Sequence, residues 1–371
     1  MKKSVFLLIA FSFFANASAQ ITPNPWLKAE DLVKSVESSV YAKTITISTQ
    51  NIGNATKAIN DAIEACNKAG GGKVIIPKGE FLTGQIVLLS HVNLLLHEGA
   101  VLKYSAELND ERANQTAKTL IYVGKQTNAA VTGKGLLAGS INTGCYLQDS
   151  KNIIIEVCRF QTSGNEGLYI ESCENVIVRG STIKNGKDGI VISSNSLQDC
   201  RNIFVDNFNM NSPNLICAIC IKSGVNANLI ENIFVRNVKI NACAETAVRM
   251  DIAEPDKSTK SKDKYVIRSV NFDQITSKSS RYGLVIDGSE NRRAAQIMIK
   301  NSTFEGLKEP GMNNINADNV TFQNVTMTND AGFKTSATFR EMTSDQRKTL
   351  IEQRRKELQE RRDQPRQSTQ R

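Results

Sequence analysis

The sequence predicts an all-β fold, a single-stranded right-handed parallel β-helix. Two short phrases recur along the chain, both alternate apolar and polar residues, and little helical periodicity separates them. A period of two residues with one buried face indicates strands, and stacked coils of short strands allow each strand to pair with the next. An α/β barrel is excluded, because each of its units needs a crossover helix.

The first phrase begins with a polar turn residue and continues with alternating apolar residues. Its copies are Asn152-Ile-Ile-Ile, Asn175-Val-Ile-Val, Asn202-Ile-Phe-Val, Asn232-Ile-Phe-Val, Ser269-Val-Asn-Phe, Gln296-Ile-Met-Ile and Asn319-Val-Thr-Phe. They lie about 23 to about 37 residues apart, which is typical of one supersecondary unit per repeat. The repeated Asn fits a turn residue whose amide bonds to neighbouring backbone and to the same Asn one coil away.

The second phrase predicts which side chains face outward. Its copies are Gly167-Leu-Tyr-Ile-Glu, Gly189-Ile-Val-Ile-Ser, Ala218-Ile-Cys-Ile-Lys, Ala247-Val-Arg-Met-Asp and Gly283-Leu-Val-Ile-Asp. The apolar residues on either side of the central position point inward, and the others form ladders with steps of about 4.8 Å. The first ladder is Tyr169, Val191, Cys220, Arg249 and Val285; the second is Glu171, Ser193, Lys222, Asp251 and Asp287; the third is Glu166, Asp188, Cys217, Thr246 and Tyr282.

The two ends of the chain differ from the repeats. Lys2 and Lys3, an apolar run and Ala17-Ser18-Ala19 predict a signal peptide over residues 1–19, and hence a secreted or periplasmic protein without a membrane span. Residues 20–332 are expected to form the β-helix, with a short helix at 55–66 covering its first coil. Residues 333–371 are expected to be a charged helical or disordered tail, whose helix spans residues 344–363.

The net charge of +9 says little about the ligand. Residues 334–371 contribute roughly +5 and the signal peptide about +2, so the mature core carries only about +2. The core also lacks a basic stripe interleaved with aromatic residues, which excludes nucleic acid as the expected partner.

The eight cysteines are scattered through strand-like repeats, so most are expected to be buried thiols. Cys217 and Cys220 have the spacing of a zinc-ligand pair, but they lie in a strand and the chain has only two His. No metal and no cofactor are therefore expected.

Three stretches near the N-terminus carry a family resemblance. Gly70-Gly-Gly-Lys-Val-Ile-Ile-Pro-Lys-Gly79, Phe81-Leu-Thr-Gly84 and Val92-Asn-Leu-Leu-Leu-His-Glu-Gly-Ala100 closely resemble the opening of glycoside hydrolase family 28, the polygalacturonases, whose fold is pectin lyase-like. Similarity continues to about residue 329. The resemblance implies inverting hydrolysis, in which one carboxylic acid protonates the leaving oxygen and a carboxylate activates water.

The family's catalytic motifs are altered in this chain. Its Asn-Thr-Asp corresponds to Asn142-Thr143-Gly144, and its Gly-Asp-Asp corresponds to Gly164-Asn165-Glu166. Lys187 stands at the position of the family's His, and Cys220 at the position of its substrate-binding Arg. The resemblance retains Lys222 and Tyr282, the latter matching a Tyr that lies beside the sugar. Loss of two acids and the His should nearly abolish the usual reaction.

Glu166 and Asp188 are the candidate catalytic residues, because a stacked carboxylate pair can separate its pKa values and perform acid–base chemistry. The alternative is two solvated acids neutralised by Lys187. Arg249 either binds a substrate carboxylate or forms an ion pair with Asp251, and Lys222 is open to pairing with Asp251. The candidate substrate-binding residues are Asn165, Lys187, Lys222, Arg249 and Tyr282.

The leading functional hypothesis is hydrolysis of an acidic, pectic polysaccharide through a remodelled site, by a monomeric protein. The first alternative is a catalytically inactive glycan-binding β-helix. The second is a polysaccharide lyase, which needs acids that hold Ca²⁺; the ladder of Glu171, Asp251 and Asp287 is interrupted by Ser193 and Lys222.

Overall fold

The computed structural model describes residues 24–39, 43–51, 53–162, 164–184, 186–195, 198–225, 227–254, 264–309, 311–332, 334, 337–340, 349, 352 and 356. Residues 1–19, the expected signal peptide, lie outside this set. Most of the expected helix at 344–363 also lies outside this set. Its three described residues, Thr349, Glu352 and Lys356, are helical. No helix within the described residues is long and apolar enough to cross a bilayer.

The described residues form two α-helices, two short 3-10 helices and 26 strands. The α-helices are α1 (Pro25–Ser39) and α2 (Thr56–Lys68), and the 3-10 helices are Thr49–Asn51 and Ala106–Leu108. The strands of the first half are β1 (Thr44–Thr46), β2 (Gly72–Ile76), β3 (Gly79–Thr83), β4 (Ile86–Val87), β5 (Val92–Leu96), β6 (Ala100–Tyr104), β7 (Thr119–Gly124), β8 (Thr127–Gly133), β9 (Leu136–Gly139), β10 (Thr143–Gln148), β11 (Lys151–Glu156), β12 (Arg159–Thr162) and β13 (Glu166–Glu171). Those of the second half are β14 (Glu174–Arg179), β15 (Thr182–Lys184), β16 (Asp188–Ser194), β17 (Cys200–Asn211), β18 (Cys217–Ser223), β19 (Ile230–Ile240), β20 (Thr246–Ile252), β21 (Tyr265–Ser280), β22 (Tyr282–Asp287), β23 (Arg293–Leu307), β24 (Met312–Ile315), β25 (Ala317–Asn329) and β26 (Ala337–Arg340).

The strands pair in parallel and build two sheets, which confirms the predicted β-helix. The ten-stranded sheet has the order β26-β24-β22-β20-β18-β16-β13-β10-β7-β4, so each strand pairs with its counterpart one coil away. The other sheet has 16 strands. In the N-terminal coils this sheet has two separate faces, to which β14 and β15 belong. Both of these strands pair with the long strand β17, which bends across the two faces.

The predicted register is confirmed at all three ladders. Tyr169 pairs with Val191, Val191 with Cys220, Cys220 with Arg249, and Arg249 with Val285. The second and third ladders keep the same register. The inward residues are 0–1% exposed in the core; they are Leu168, Ile170, Ile190, Ile192, Ile219, Ile221, Val248, Met250, Leu284 and Ile286.

A spine of asparagines turns the chain into the 16-stranded sheet, as predicted. Asn152, Asn175, Asn202 and Asn232 all have φ of 57–58°, a left-handed conformation that Asn tolerates better than most residues. Each amide donates to the Asn Oδ1 of the preceding coil, for example Asn202 Nδ2 to Asn175 Oδ1 at 2.9 Å. Ser269 and Gln296 continue the spine with φ of 55° and 57°. The repeated phrase thus begins with Asn because its corner needs both this backbone conformation and this amide.

The second phrase begins with Gly or Ala because little space lies behind that position. At Gly189, a Cβ would lie 2.4 Å from the carbonyl oxygen of Ala218 on the next coil and 2.7 Å from the sulfur of Met210. A larger residue would force adjacent coils apart.

Two helices cover the β-helix. Helix α2 buries Ile59, Ile63 and Cys66 against the first coil, which confirms the predicted cover. Helix α1 was not predicted from the sequence. Its buried Val33 and Val36 join the apolar cluster formed by Ala130, Ile154, Ile177 and Phe204, which lies on the outside of the 16-stranded sheet.

Strand β26 follows residue 332, the boundary expected from the repeats. It pairs in parallel with β24 and adds the last strand to the ten-stranded sheet.

Candidate active site

The three outward ladders lie side by side on the ten-stranded sheet and define its ladder face. Extending the register toward the N-terminus adds β10 and β7: Tyr146 and Tyr122 continue the first ladder, Gln148 and Gly124 the second, and Thr143 and Thr119 the third. Every coil from β7 to β22 therefore contributes one residue to each ladder, although several of these residues, such as Val191, Cys220 and Val285, are buried.

A repeated corner aligns the two candidate catalytic acids. The Asn142 carbonyl accepts hydrogen bonds from the backbone N–H groups of Asn165 (2.7 Å) and Glu166 (2.9 Å). One coil on, the Asn165 carbonyl accepts those of Lys187 (2.9 Å) and Asp188 (2.6 Å). Because the same corner recurs, Glu166 and Asp188 begin consecutive strands and their Cα atoms are paired in register. The predicted stacking of these two acids is therefore observed.

Glu166 is half-buried and held by a hydroxyl. Thr143 Oγ1 donates a hydrogen bond to Glu166 Oε2 at 2.7 Å. Burial raises the pKa of Glu166, the neighbouring Asp188 carboxylate raises it further, and the Thr143 hydrogen bond and the Lys222 ammonium oppose this without reversing it. Glu166 thus keeps its proton to a higher pH than an ordinary glutamate does.

Asp188 is bound by Lys222. The Lys222 ammonium donates to Asp188 Oδ2 at 2.7 Å, from the strand that follows Asp188 on the sheet. Burial alone would lower the pKa of Lys222, but the carboxyl groups of Asp188, Asp251 and Glu166 together outweigh it and the pKa is raised. The sequence had suggested Lys187 as the cation beside the acids and Asp251 as the partner of Lys222. The structure instead leaves the Lys187 side chain exposed and places Lys222 on Asp188.

Arg249 forms an ion pair with Asp251, which was the predicted alternative to binding a substrate carboxylate. Its Nε lies 2.8 Å from each Asp251 carboxylate oxygen, and a terminal nitrogen lies 3.8 Å from Asp287 Oδ2. Burial would lower the pKa of Arg249, but Asp251 and Asp287 raise it. The guanidinium is thus held at the ladder face and a quarter of its side chain (25%) stays exposed.

The remaining candidates occupy different places. Asn165 lies at the corner beside Glu166, where its backbone carbonyl organises the next coil. Tyr282 belongs to the third ladder but stands four coils beyond Glu166, about 19 Å away at the usual strand spacing. The Arg281 guanidinium lies 5.5 Å from the centroid of its ring. The ladder face therefore brings Glu166, Asp188 and Lys222 together, and places Tyr282 outside that cluster.

A disulfide joins Cys217 of the third ladder and Cys220 of the first. Both residues are buried on β18, between Asp188 on one side and Arg249 on the other. The other cysteines are buried thiols, as predicted for most of them. Burial raises the pKa of Cys158 and of Cys200 to about 12, so these thiols are unreactive at neutral pH.

The sequence interpretation missed a stack of three tyrosines on the ladder face. The ring centroids of Tyr122 and Tyr146 are 5.9 Å apart, and those of Tyr146 and Tyr169 are 5.0 Å apart. All three rings are half-buried. A signal was present, because each Tyr has apolar neighbours on both sides and the three are spaced by about one repeat, but the first two precede the first asparagine phrase.

Tyr122 and Tyr146 are each fixed by a neighbour on the next coil. The Tyr122 hydroxyl donates to Gln148 Oε1 at 2.8 Å, and the Tyr146 hydroxyl donates to Glu171 Oε2. Tyr122 folds over Gly124, where a Cβ would lie 2.3 Å from its hydroxyl oxygen. The rings are therefore preorganised rather than free to rotate.

Extended corners border the ladder face on its C-terminal half. Two residues separate β13 from β14, whereas six separate β18 from β19 and twelve separate β20 from β21. The buried Arg292 guanidinium ties these two extended corners together. It donates to the carbonyl oxygens of Gly224 (2.9 Å), Val225 (3.1 Å), Ala227 (2.8 Å) and Ala253 (3.3 Å) and to Ser223 Oγ (3.2 Å).

The described cluster contains two acids and two cations. Across the described part of the chain, no group of three or more His, Cys, Asp or Glu is placed to hold a metal ion. What the cluster offers is a proton donor at Glu166, a carboxylate at Asp188 and two cations at Lys222 and Arg249.

Comparisons with known proteins agree with the architecture. Residues 97–235 match the family model described as a right-handed β-helix region. The chain is a right-handed parallel β-helix. No curated protein sequence gives a significant match.

Several solved structures share the fold at low sequence identity. The polygalacturonase of Erwinia carotovora has a TM-score of 0.53 and 17% identity, over 81% of this chain and 95% of that one. The endo-xylogalacturonan hydrolase of Aspergillus tubingensis has a TM-score of 0.50 and 12% identity, over 81% and 100%. The tailspike protein of Escherichia coli bacteriophage HK620, in complex with a hexasaccharide, has a TM-score of 0.59 and 14% identity, over 83% and 60%. Identities this low extend the likeness to the fold alone.

Proposed function

We propose that the protein hydrolyses glycosidic bonds of an acidic polysaccharide on its ladder face, with Glu166 as general acid and Asp188 as general base. The observation that carries this proposal is the asymmetry of the two acids. Burial raises the pKa of Glu166, which suits a proton donor, whereas the Asp188 side chain is bound by the Lys222 ammonium at 2.7 Å. Glycoside hydrolysis needs one carboxyl group that donates a proton and one that accepts a proton.

Lys222 links substrate binding to the base. A uronate carboxylate that reaches the Lys222 ammonium competes with Asp188 for the same cation. Binding of an acidic sugar thereby releases Asp188 to accept a proton from water. Arg249, one coil further, is the second cation for an acidic chain, and Asn165, Lys187 and Tyr282 are the further substrate-binding candidates.

The resemblance of residues 70–100 to polygalacturonases supports this substrate class, although the altered motifs require a site different from the usual one. The named activities of the Erwinia and Aspergillus proteins are compatible with it. The expected signal peptide supports action outside the cytoplasm, in the periplasm or the medium, by a monomer. Mass determination of the exported protein should find Gln20 as its first residue.

A glycan-binding protein without catalysis is the second candidate. It is favoured by the 2.7 Å contact between Lys222 and Asp188, because this ion pair occupies the carboxylate that would have to accept a proton from water. The two candidates differ in whether Asp188 is released when the glycan binds.

The test is to incubate the purified protein with a panel of pectic polymers while following reducing ends and unsaturated products separately. New reducing ends without unsaturated products are expected, and Glu166→Gln and Asp188→Asn should each lower their formation by about two to four powers of ten. Unsaturated products would instead indicate a lyase. Glycan binding that Lys222→Ala removes, without any product, would establish the binding protein. Absence of both product and binding would refute both candidates.

A further inference from the structure

We propose that the tyrosine stack of Tyr122, Tyr146 and Tyr169 is a binding site for uncharged sugar units, adjoining the acidic-sugar site on the same face. This inference rests on the proposed function, which it deepens by assigning a second chemical class of sugar to the substrate. The glycan that fits the whole ladder face is then a mixed one, with neutral units over the N-terminal coils and acidic units over the C-terminal coils.

The position of the stack makes it continuous with the candidate catalytic cluster. Tyr169 lies on β13, the strand that begins with Glu166 and ends with Glu171. The three rings succeed one another along the axis of the β-helix, and Glu166, Asp188 and Cys217 do so along the neighbouring ladder. A sugar chain lying along this axis meets the tyrosines on one side of Glu166 and Lys222 on the other.

The stack has the chemistry of a sugar platform. A pyranose ring presents C–H groups on its faces and hydroxyls at its edge, so it binds to aromatic surface flanked by hydrogen-bonding groups. The tyrosines supply the aromatic surface, and Gln148 and Glu171 lie beside the rings on the second ladder. Because the Tyr122 and Tyr146 hydroxyls are already bonded, the rings lose little rotamer freedom when a ligand binds.

The charges around the stack favour an uncharged sugar. At the ladder positions of β7, β10 and β13 the only charged residues are Glu166 and Glu171, both acids. The Glu171 carboxylate acts electrostatically on Tyr169 more strongly than the opposing Lys222 ammonium does. The cations of the ladders, Lys222 and Arg249, stand on later coils, beyond Asp188. A uronate over Tyr169 would therefore face the like charge of Glu171, whereas a neutral hexose or pentose would not.

The test compares calorimetric titrations of a neutral galactan oligosaccharide, a polygalacturonate oligosaccharide of equal length, and a mixed oligosaccharide that contains both kinds of unit. The first variant is Tyr146→Ala, and the matched control is Tyr265→Ala. Tyr265 also donates its hydroxyl to a carboxylate, that of Asp318, but it lies on β21 in the other sheet. Tyr146→Ala should weaken binding of the neutral and mixed ligands by about tenfold or more, equivalent to about 1.4 kcal/mol, and the control should not.

Two further variants separate loss of binding from loss of structure. Tyr146→Phe keeps the ring and should retain most of the affinity. Gly124→Ala leaves every tyrosine in place in the sequence but displaces the ring of Tyr122, and should also weaken neutral-sugar binding. Circular dichroism and thermal midpoints show that each variant is folded.

The inference is overturned if the neutral oligosaccharide does not bind, or if Tyr146→Ala binds it as tightly as the unmodified protein does. It is also overturned if Tyr146→Ala weakens polygalacturonate as much as the neutral ligand. Turnover that Glu166→Gln abolishes and Tyr146→Ala leaves unchanged would sink this inference while the proposed function stands. Tyr146-dependent binding of neutral sugar without turnover would support this inference and refute the proposed hydrolysis.

Discussion

Arg292→Met should destabilise the protein by about 3–5 kcal/mol, the range for removing one partner from a buried charged network. The Arg292 guanidinium is buried and makes five hydrogen bonds to the corners that follow β18 and β20. Hydrogen bonds to a charged group contribute about 1.5–3 kcal/mol each, which exceeds the several kcal/mol that burial of the guanidinium costs. Methionine fills the space of the aliphatic stem but leaves four carbonyl groups and one hydroxyl without their donor.

Urea unfolding followed by circular dichroism measures this loss as a lower midpoint with an unchanged slope. The matched control is Arg268→Met, because Arg268 is exposed and its Nε makes one ion pair, with Glu231 at 2.9 Å. An exposed pair contributes about 1 kcal/mol or less. If Arg292→Met and Arg268→Met lower the midpoint equally, the reasoning that the extended corners depend on Arg292 is refuted.

Three further predictions concern other parts of the molecule. Glu166→Gln should flatten the pH dependence of the thermal midpoint. Because the pKa of Glu166 is raised in the folded protein, its protonated form stabilises the fold below the ordinary glutamate range, and this contribution is lost as the pH rises through the folded pKa. An unchanged pH profile would contradict the burial assigned to Glu166. Asn202→Ala should cost about 2–4 kcal/mol, from two amide hydrogen bonds and an unfavourable left-handed conformation, and Asn202→Gly should recover the backbone part in the same denaturation assay. Val36→Asp should make α1 sensitive to limited proteolysis, while the thermal midpoint of the β-helix should change little, because Val36 is buried against the outside of the sheet. Unchanged resistance to the protease would show that α1 does not depend on that contact.

The fold was predicted mostly from the two repeated phrases. Asn175, Asn202 and Asn232 mark the same corner on successive coils, and that corner alone fixes the register of the strands that follow. Helix α1 could not be found in this way, because it belongs to no repeat. The residues that it covers, such as Ile154 and Phe204, also look like ordinary strand residues in the sequence.

The candidate site was predicted in position but not in its contacts. The alternation of the second phrase placed Glu166 beside Asp188 and Lys222 within the same few coils. Which acid Lys222 binds depends on how a long side chain crosses between coils, and periodicity does not contain that information. The structure resolves it because Asp251 is bound by Arg249, and Lys222 reaches back to Asp188.

The uneven corners have a consequence for how such a chain can change. Extra residues between β18 and β19 or between β20 and β21 leave the strands, the asparagine spine and the core unchanged. They lie outside the strands, and each strand still pairs with its counterpart one coil away. Insertions at this one corner can therefore reshape the border of the ladder face without refolding the protein. A designer who wants a different glycan specificity should graft new segments there, and should keep Arg292 as the common anchor.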